Sequence, residues 1–170
     1  MKKIIIVGKA GAGKNFFKEF LLTKGYQMAI SHTTRPMRGG EVQQEDYYFI
    51  SRDLFEVSIK NNMFFEHKEY DGDIYGTSNR QMKKGNIFLF NPKKVLELPY
   101  NFKKHCVVVY LDIDKETRLE RLKKRVNAKD INQRIAADEI EFDGFKGWDI
   151  RVAGETIDCE YTLKKILSYE

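Results

Sequence analysis

The chain reads as an α/β protein built on a parallel sheet with helices on both faces. Short aliphatic runs recur at Ile4–Val7, Gln27–Ile30, Ile87–Phe90, Cys106–Leu111 and Asp149–Ala153. Helical patterns lie between or after them, and that alternation favours parallel strands covered on both sides. From about residue 32 to 80 the rhythm gives way to aromatic strand signals, as in an inserted α+β region.

Each element has its own local cause. After the first strand and a glycine-spaced loop, Phe17, Phe20 and Leu21 share one helical face, and Gly25 supplies a stop. Within the insertion, Tyr47-Tyr48-Phe49-Ile50 and Met63-Phe64-Phe65 are strand signals, and Asp71-Gly72-Asp73 marks a tight turn. Between them Leu54, Phe55 and Ile59 read as a helix with Ser51 or Asp53 near its cap. Leu119 and Leu122 line one side of a helix around Thr117–Arg125. Asp130 caps the next, in which Ile131, Ile135 and Phe142 face one way. Cys159, Leu163, Ile166 and Leu167 make a final amphipathic helix.

Bulk composition narrows the function classes. At 170 residues the simplest organisation is one domain. No apolar run approaches the roughly 20 residues that cross a bilayer. Met1-Lys2-Lys3 and four aliphatics form too short an apolar region for a secretory leader. Cys106 and Cys159 are too few for a disulfide framework, and buried free thiols in a reducing cytoplasm are expected. The net charge is +5, but 25 acidic residues are interleaved with 30 basic ones. That balance suits small phosphorylated ligands better than DNA or RNA. His32, His67 and His105 show no metal-ligand spacing, and Trp148 reads as a packing residue.

Gly8-Lys9-Ala10-Gly11-Ala12-Gly13-Lys14 lies between the first strand and the first helix, the context in which G-x-x-x-x-G-K becomes a phosphate cradle. The glycines let backbone N–H groups curl inward at a helix N-terminus, where peptide dipoles favour an anion. Lys14 adds a mobile cation. The bland alternative is a glycine-rich turn with no ligand. The next position usually carries a Ser or Thr hydroxyl for Mg²⁺ but here is Asn15. Its amide oxygen could meet the ion or a water, or the ion could be held mainly by phosphates.

Two further cationic segments stand out. Arg35 and Arg38, on a loop broken by Pro36 and the Gly39–Gly40 pair, precede Tyr47 and suit a phosphate through their guanidinium forks. Surface pairing with Glu41 or Glu45 is the alternative. Arg118, Arg121 and Arg125 fall on one helical face, with Arg134 on the following helix. A solvated helix laced with Glu116, Glu120 and Lys124 would explain some of these charges, though less well Arg134.

The blocks Ser31-x-Thr33-Thr34-Arg35-Pro36-x-Arg38-x-Gly40-Glu41, Asp46-Tyr47-x-Phe49-Ile50-Ser51, Asn61-Asn62-x-Phe64-x-Glu66 and Tyr75-Gly76-Thr77 resemble guanylate kinases. Order and spacing hold from the phosphate loop through Thr77, with lower fidelity beyond. The resemblance implies a P-loop parallel sheet with an inserted α+β region that binds a nucleoside monophosphate, and a helical lid. It divides the single domain into a core (1–31 and 78–170), an insertion at about 32–77 and a lid at about 121–135. It further implies ATP on Gly8, Lys9, Ala10, Gly11, Ala12, Gly13, Lys14 and Asn15, with Mg²⁺ carried mainly by the ATP phosphates. GMP would sit on Ser31, Arg35, Arg38, Tyr47, Glu66, Tyr75 and Thr77. Arg35, Arg38, Tyr47 and Tyr75 would grip its phosphate. Glu66 would accept from guanine N1–H and the exocyclic amine, and the hydroxyls of Ser31 and Thr77 would serve its carbonyl edge. Lys14, Arg121, Arg125 and Arg134 would neutralise the transferring phosphoryl group.

Such kinases end the strand matching Ile87–Phe90 with acidic residues, where this chain has Asn91-Pro92-Lys93. The expected activity is phosphorylation of GMP or dGMP by ATP in a cytoplasmic monomer or homodimer, without nucleic acid or membrane. The alternatives are a non-catalytic module of the same fold that binds a phosphorylated partner, and a kinase for another nucleoside monophosphate.

Overall fold

Ile4, Ile5, Ile6 and Val7 are all fully buried, consecutive residues rather than alternate ones, as a central strand covered on both faces requires. The computed structural model describes residues 1–70, 72–124 and 131–169. In chain order the elements are β1 (Lys3–Gly8), α1 (Lys14–Thr23), β2 (His32–Thr33), β3 (Tyr48–Phe49), α2 (Arg52–Lys60), β4 (Phe64–Tyr70), β5 (Asp73–Ser78) and α3 (Asn79–Lys84). Then follow β6 (Ile87–Leu89), α4 (Pro92–Glu97), α5 (Tyr100–Lys103), β7 (Cys106–Ile113), α6 (Lys115–Lys123), α7 (Ile131–Glu141), β8 (Ile150–Gly154) and α8 (Cys159–Ser168).

The chain divides into two compact units, one of Met1–Tyr26 with Ile87–Glu170 and one of Gln27–Asn86. The first carries the sheet β6-β1-β7-β8, parallel throughout, with Ile5 opposite Phe88 and Val108. The α/β class expected from the alternating runs is the class observed. Helix α1 buries Phe17 and Leu21, and α8 buries Leu163 and Ile166. Tyr110 of β7 stacks on Phe142 with ring centroids 5.6 Å apart, and meets Phe145 edge-on.

The second unit carries the sheet β3-β2-β5-β4, in which β2 is parallel to β3 and antiparallel to β5. Helix α2 starts where the Ser51 hydroxyl accepts from Leu54 N–H, so Ser51 rather than Asp53 is the cap. Its Phe55 is fully buried and stacks on Phe64 at 4.2 Å.

Three expectations are corrected. Gln27–Ile30 is not a strand: Gln27 N–H donates to Asn86 Oδ1, its carbonyl accepts from Asn86 N–H, and Ile30 N–H donates to Gln81 Oε1. With the amides of Gln27 and Ile30 spent on side chains, pairing there is confined to a single bridge at Met28. Met63–Phe65 lengthens into β4, which reaches Tyr70 because β5 pairs along it, with a register shift between Phe64 and Glu66. Cys106 is buried, whereas Cys159 is only half-buried at the start of α8; both thiols are free. The Asp71 turn position and the Asp130 cap lie outside the described residues.

Candidate functional site

The phosphate loop is shaped by two left-handed glycines, Gly11 (φ +78) and Gly13 (φ +91). A Cβ on Gly11 would lie 2.7 Å from the Arg118 carbonyl oxygen, so the loop packs directly on the backbone of α6. Ala12 N–H donates to the Lys9 carbonyl, closing a turn. The first bond within α1 runs from Phe17 N–H to Gly13 O, and helix geometry leaves the amides of the preceding turn without an intrahelical carbonyl. Lys14 Nζ folds back on the carbonyls of Gly8 and, at 3.1 Å, Lys9.

Arginines of α6 close around this loop. Arg121 Nη1 donates to Gly11 O at 3.2 Å and Nη2 to Glu155 O at 2.9 Å. Arg118, which the sequence sets on the same face, is instead only 2% exposed and buried beneath the loop. Arg134 is exposed on α7, and Arg125 lies outside the described residues. The middle of the expected lid of about 121–135, residues 125–130, lies outside the described residues, and its two ends belong to α6 and α7.

In the second unit Glu66 lies on β4 and Tyr75 and Thr77 on β5, whereas Ser31, Arg35, Arg38 and Tyr47 lie in the segments that flank β2 and β3. Register pairs Glu66 with Thr77, and Thr77 Oγ1 donates to Glu66 Oε1 at 2.7 Å. Ser31 Oγ lies 2.9 Å from Thr77 Oγ1, completing a hydroxyl–hydroxyl–carboxylate chain. The half-buried Glu66 is thus engaged across the strands rather than turned outward to solvent. Arg35 sits over the rings of Tyr47 and Phe49 and pairs with Glu41 at 2.7 Å. Glu41 is held below the usual carboxylate range by that hydrogen bond and by one from Arg38 N–H. Tyr47 and Tyr75 meet edge-on at 6.0 Å, and burial raises the Tyr47 phenol. The Arg35–Glu41 pair expected of a merely structural reading is present, yet the guanidinium remains beside both tyrosines. Arg38 is exposed.

The comparisons bear on this arrangement. The family model described as guanylate kinase matches residues 1–170. The chain belongs to the guanylate kinase family. A pig guanylate kinase is 27% identical over 99% of this chain and 93% of its own length. A zebrafish protein, MAGUK p55 subfamily member 7, is 36% identical over 76% of this chain, which spans only 23% of that relative. A solved guanylate kinase from Anaplasma phagocytophilum shares the fold, with a TM-score of 0.66 at 21% identity over 98% of this chain and 82% of that one.

Against that family frame, the strand end after β6 is informative. Asn91 caps α4, accepting from Lys94 N–H at 2.9 Å, and its amide donates to Glu141 Oε1 at 2.6 Å. The carboxylate that meets this strand end is therefore Glu141 of α7. The donor set for Mg²⁺ is sparse. Asn15 is exposed near the start of α1 and neutral. Among the described residues no three His, Cys, Asp or Glu side chains converge. Such donors fit an ion delivered on nucleotide phosphates, with Asn15 as one protein oxygen.

The sequence reading missed Asp138 and Glu139 of α7. Glu139 Oε2 accepts from Lys9 Nζ at 2.5 Å, and Asp138 Oδ2 accepts from Ala10 N–H at 2.6 Å. Spacing alone carried no signal for them, because their partners lie 128 and 130 positions away.

Proposed function

We propose that the protein is an ATP-dependent kinase of GMP or dGMP, making ADP and the nucleoside diphosphate. The observation that carries the reading is the Ser31–Thr77–Glu66 chain, in a protein whose phosphate loop keeps its glycines and its lysine. Guanine presents adjacent N–H donors that adenine lacks, so one carboxylate both binds and discriminates. A wrong base leaves that carboxylate unpaired, which is costly.

In this reading the loop amides take up the ATP phosphates, and Lys14 exchanges the carbonyls of Gly8 and Lys9 for a phosphate oxygen. Arg35, Arg38, Tyr47 and Tyr75 hold the acceptor phosphate. Mg²⁺ would arrive with ATP, with Asn15 as the protein oxygen that would meet it, and would supply charge neutralisation. Arg121, Arg125 and Arg134 balance the charge that spreads over the transferring phosphoryl group. The reaction needs no protein base, because a phosphate monoester with second pKa about 6 is largely ionised at neutral pH. The functional partition is a core (1–31 and 78–170), an acceptor-binding insertion (32–77) and a lid (121–135). A cytoplasmic monomer or homodimer is part of the proposal, and no helix among the described residues is long and apolar enough to cross a membrane.

A coupled assay with ATP, Mg²⁺ and each common nucleoside monophosphate tests the reading. Turnover with GMP that Lys14→Ala abolishes is the expected result, and turnover equal in both proteins rejects it. A second reading is a non-catalytic module that recognises a phosphorylated partner. It is favoured by neutral Asn15 and Asn91 and by the likeness to the MAGUK relative. Calorimetric titration with ATP separates the two, since the module would give no saturable heat.

A further inference from the structure

We propose that Arg118, Asp138 and Glu139 form a positioning network that presets the phosphate loop for ATP and ties the helix bearing Arg134 to it. The inference rests on the nucleotide reading above.

The network is a closed circuit. Arg118 is 2% exposed, and its Nε donates to Ile113 O at 3.0 Å. Its Nη2 donates to Glu139 Oε1 at 2.9 Å, while Nη1 lies 3.5 Å from Ala10 O and 4.0 Å from Asp138 Oδ2. Glu139 then reaches Lys9, and Asp138 reaches the Ala10 amide. Consecutive loop residues are therefore gripped by consecutive residues of α7, with one guanidinium behind both carboxylates. Glu139 is held below the usual carboxylate range, chiefly by its bond with Lys9, so this carboxylate stays charged at neutral pH.

The arrangement does more than fill space. Apolar side chains would serve a structural interior as well, since burying ions costs several kcal/mol each before pairing. What charge adds is direction. Fixing the Ala10 N–H and carbonyl from one side stops the peptide planes at the head of the loop from rotating. The amides from Gly11 onward are then presented to a phosphate in one orientation, which reduces the ordering required on binding. Arg134 lies one helical turn before Asp138 on α7, so the same ties set its helix relative to the loop.

The test compares the wild type with Arg118→Met/Asp138→Ala/Glu139→Gln, which removes the buried guanidinium with both carboxylates and leaves Lys9 an amide oxygen to bond, and with Asp138→Asn, which retains the Arg118–Glu139 pair. Each is titrated with ATP, melted, and assayed for KM toward ATP and GMP. The triple variant is expected to melt near the wild type, with the ATP dissociation constant and KM raised about tenfold and the KM for GMP unchanged. Asp138→Asn is expected to weaken ATP about threefold or more at an unchanged melting temperature. A folded triple variant, or an Asp138→Asn protein if the triple does not fold, that binds ATP within twofold of the wild type overturns the network. A wild type without saturable ATP binding overturns the nucleotide reading itself, and the network with it.

Discussion

The Thr77 hydroxyl donates to Glu66 Oε1 across the β4–β5 register at 2.7 Å, from a side chain only 1% exposed. Thr77 is in turn 2.9 Å from the Ser31 hydroxyl. A carboxylate offers about four lone-pair sites, and the Thr77 bond orients Glu66 through one of its two oxygens.

Replacing that carboxylate tests the specificity. Glu66→Gln presents an amide donor where guanine also donates. The expected outcome is a kcat/KM for GMP lowered about tenfold to hundredfold, with AMP little changed. Steady-state kinetics with both acceptors measure it, and equal losses for the two would remove Glu66 from base recognition.

Lys14 is tested by truncation to methionine. The side chain folds onto the loop carbonyls of Gly8 and Lys9, neutral groups that water can satisfy in its place, so its loss should leave the melting temperature within a few degrees. Phosphoryl transfer should fall by about 10²-fold or more, because a cation aimed at developing charge is lost. Parallel melts and turnover assays on Lys14→Met separate these effects.

Gly11 has no room for a methyl group and a backbone that L-residues rarely adopt. Gly11→Ala should destabilise the protein by about 1–3 kcal/mol and abolish ATP binding at concentrations that saturate the wild type. Urea unfolding and calorimetry read the two outcomes. An alanine variant of wild-type stability would mean that Arg118 O, 2.7 Å from the added carbon, can move aside.

His32 predicts an acid-side loss of stability. Its Nδ1 is sealed without a partner, the ring stacks on Tyr48 at 4.6 Å, and burial lowers its pKa. The folded state therefore disfavours the proton that the unfolded chain takes up near its ordinary value of about 6.5. Stability present above that value should decline as the pH falls through it. Carboxylates such as Glu41, whose pKa is lowered by Arg35, contribute only at more acid pH. Thermal melts from pH 7.5 to about 5.5 should slope downward in the wild type and much less in His32→Phe; parallel slopes would show that other groups govern the window.

Legibility in the sequence followed the range of the forces involved. Strand β1 was readable because a doubly covered strand must be aliphatic at every position, and Lys3–Gly8 is nearly so. Cap residues were readable for the same local reason, as with Ser51 at α2. Gln27–Ile30 misled, since an aliphatic run does not reveal whether its amides meet a neighbouring strand or the side chains of Asn86 and Gln81.

By itself the sequence determined the α/β class and the glycine-shaped loop, since period and spacing are local properties of a chain. Only the tertiary structure decided that Arg118 turns inward, that Asp138 and Glu139 grip Ala10 and Lys9, and that Glu141 meets Asn91. Those choices depend on which charges become neighbours when solvent is excluded. A buried guanidinium is tolerable only where carboxylates and carbonyls from distant segments converge on it, and no one-dimensional pattern records that convergence.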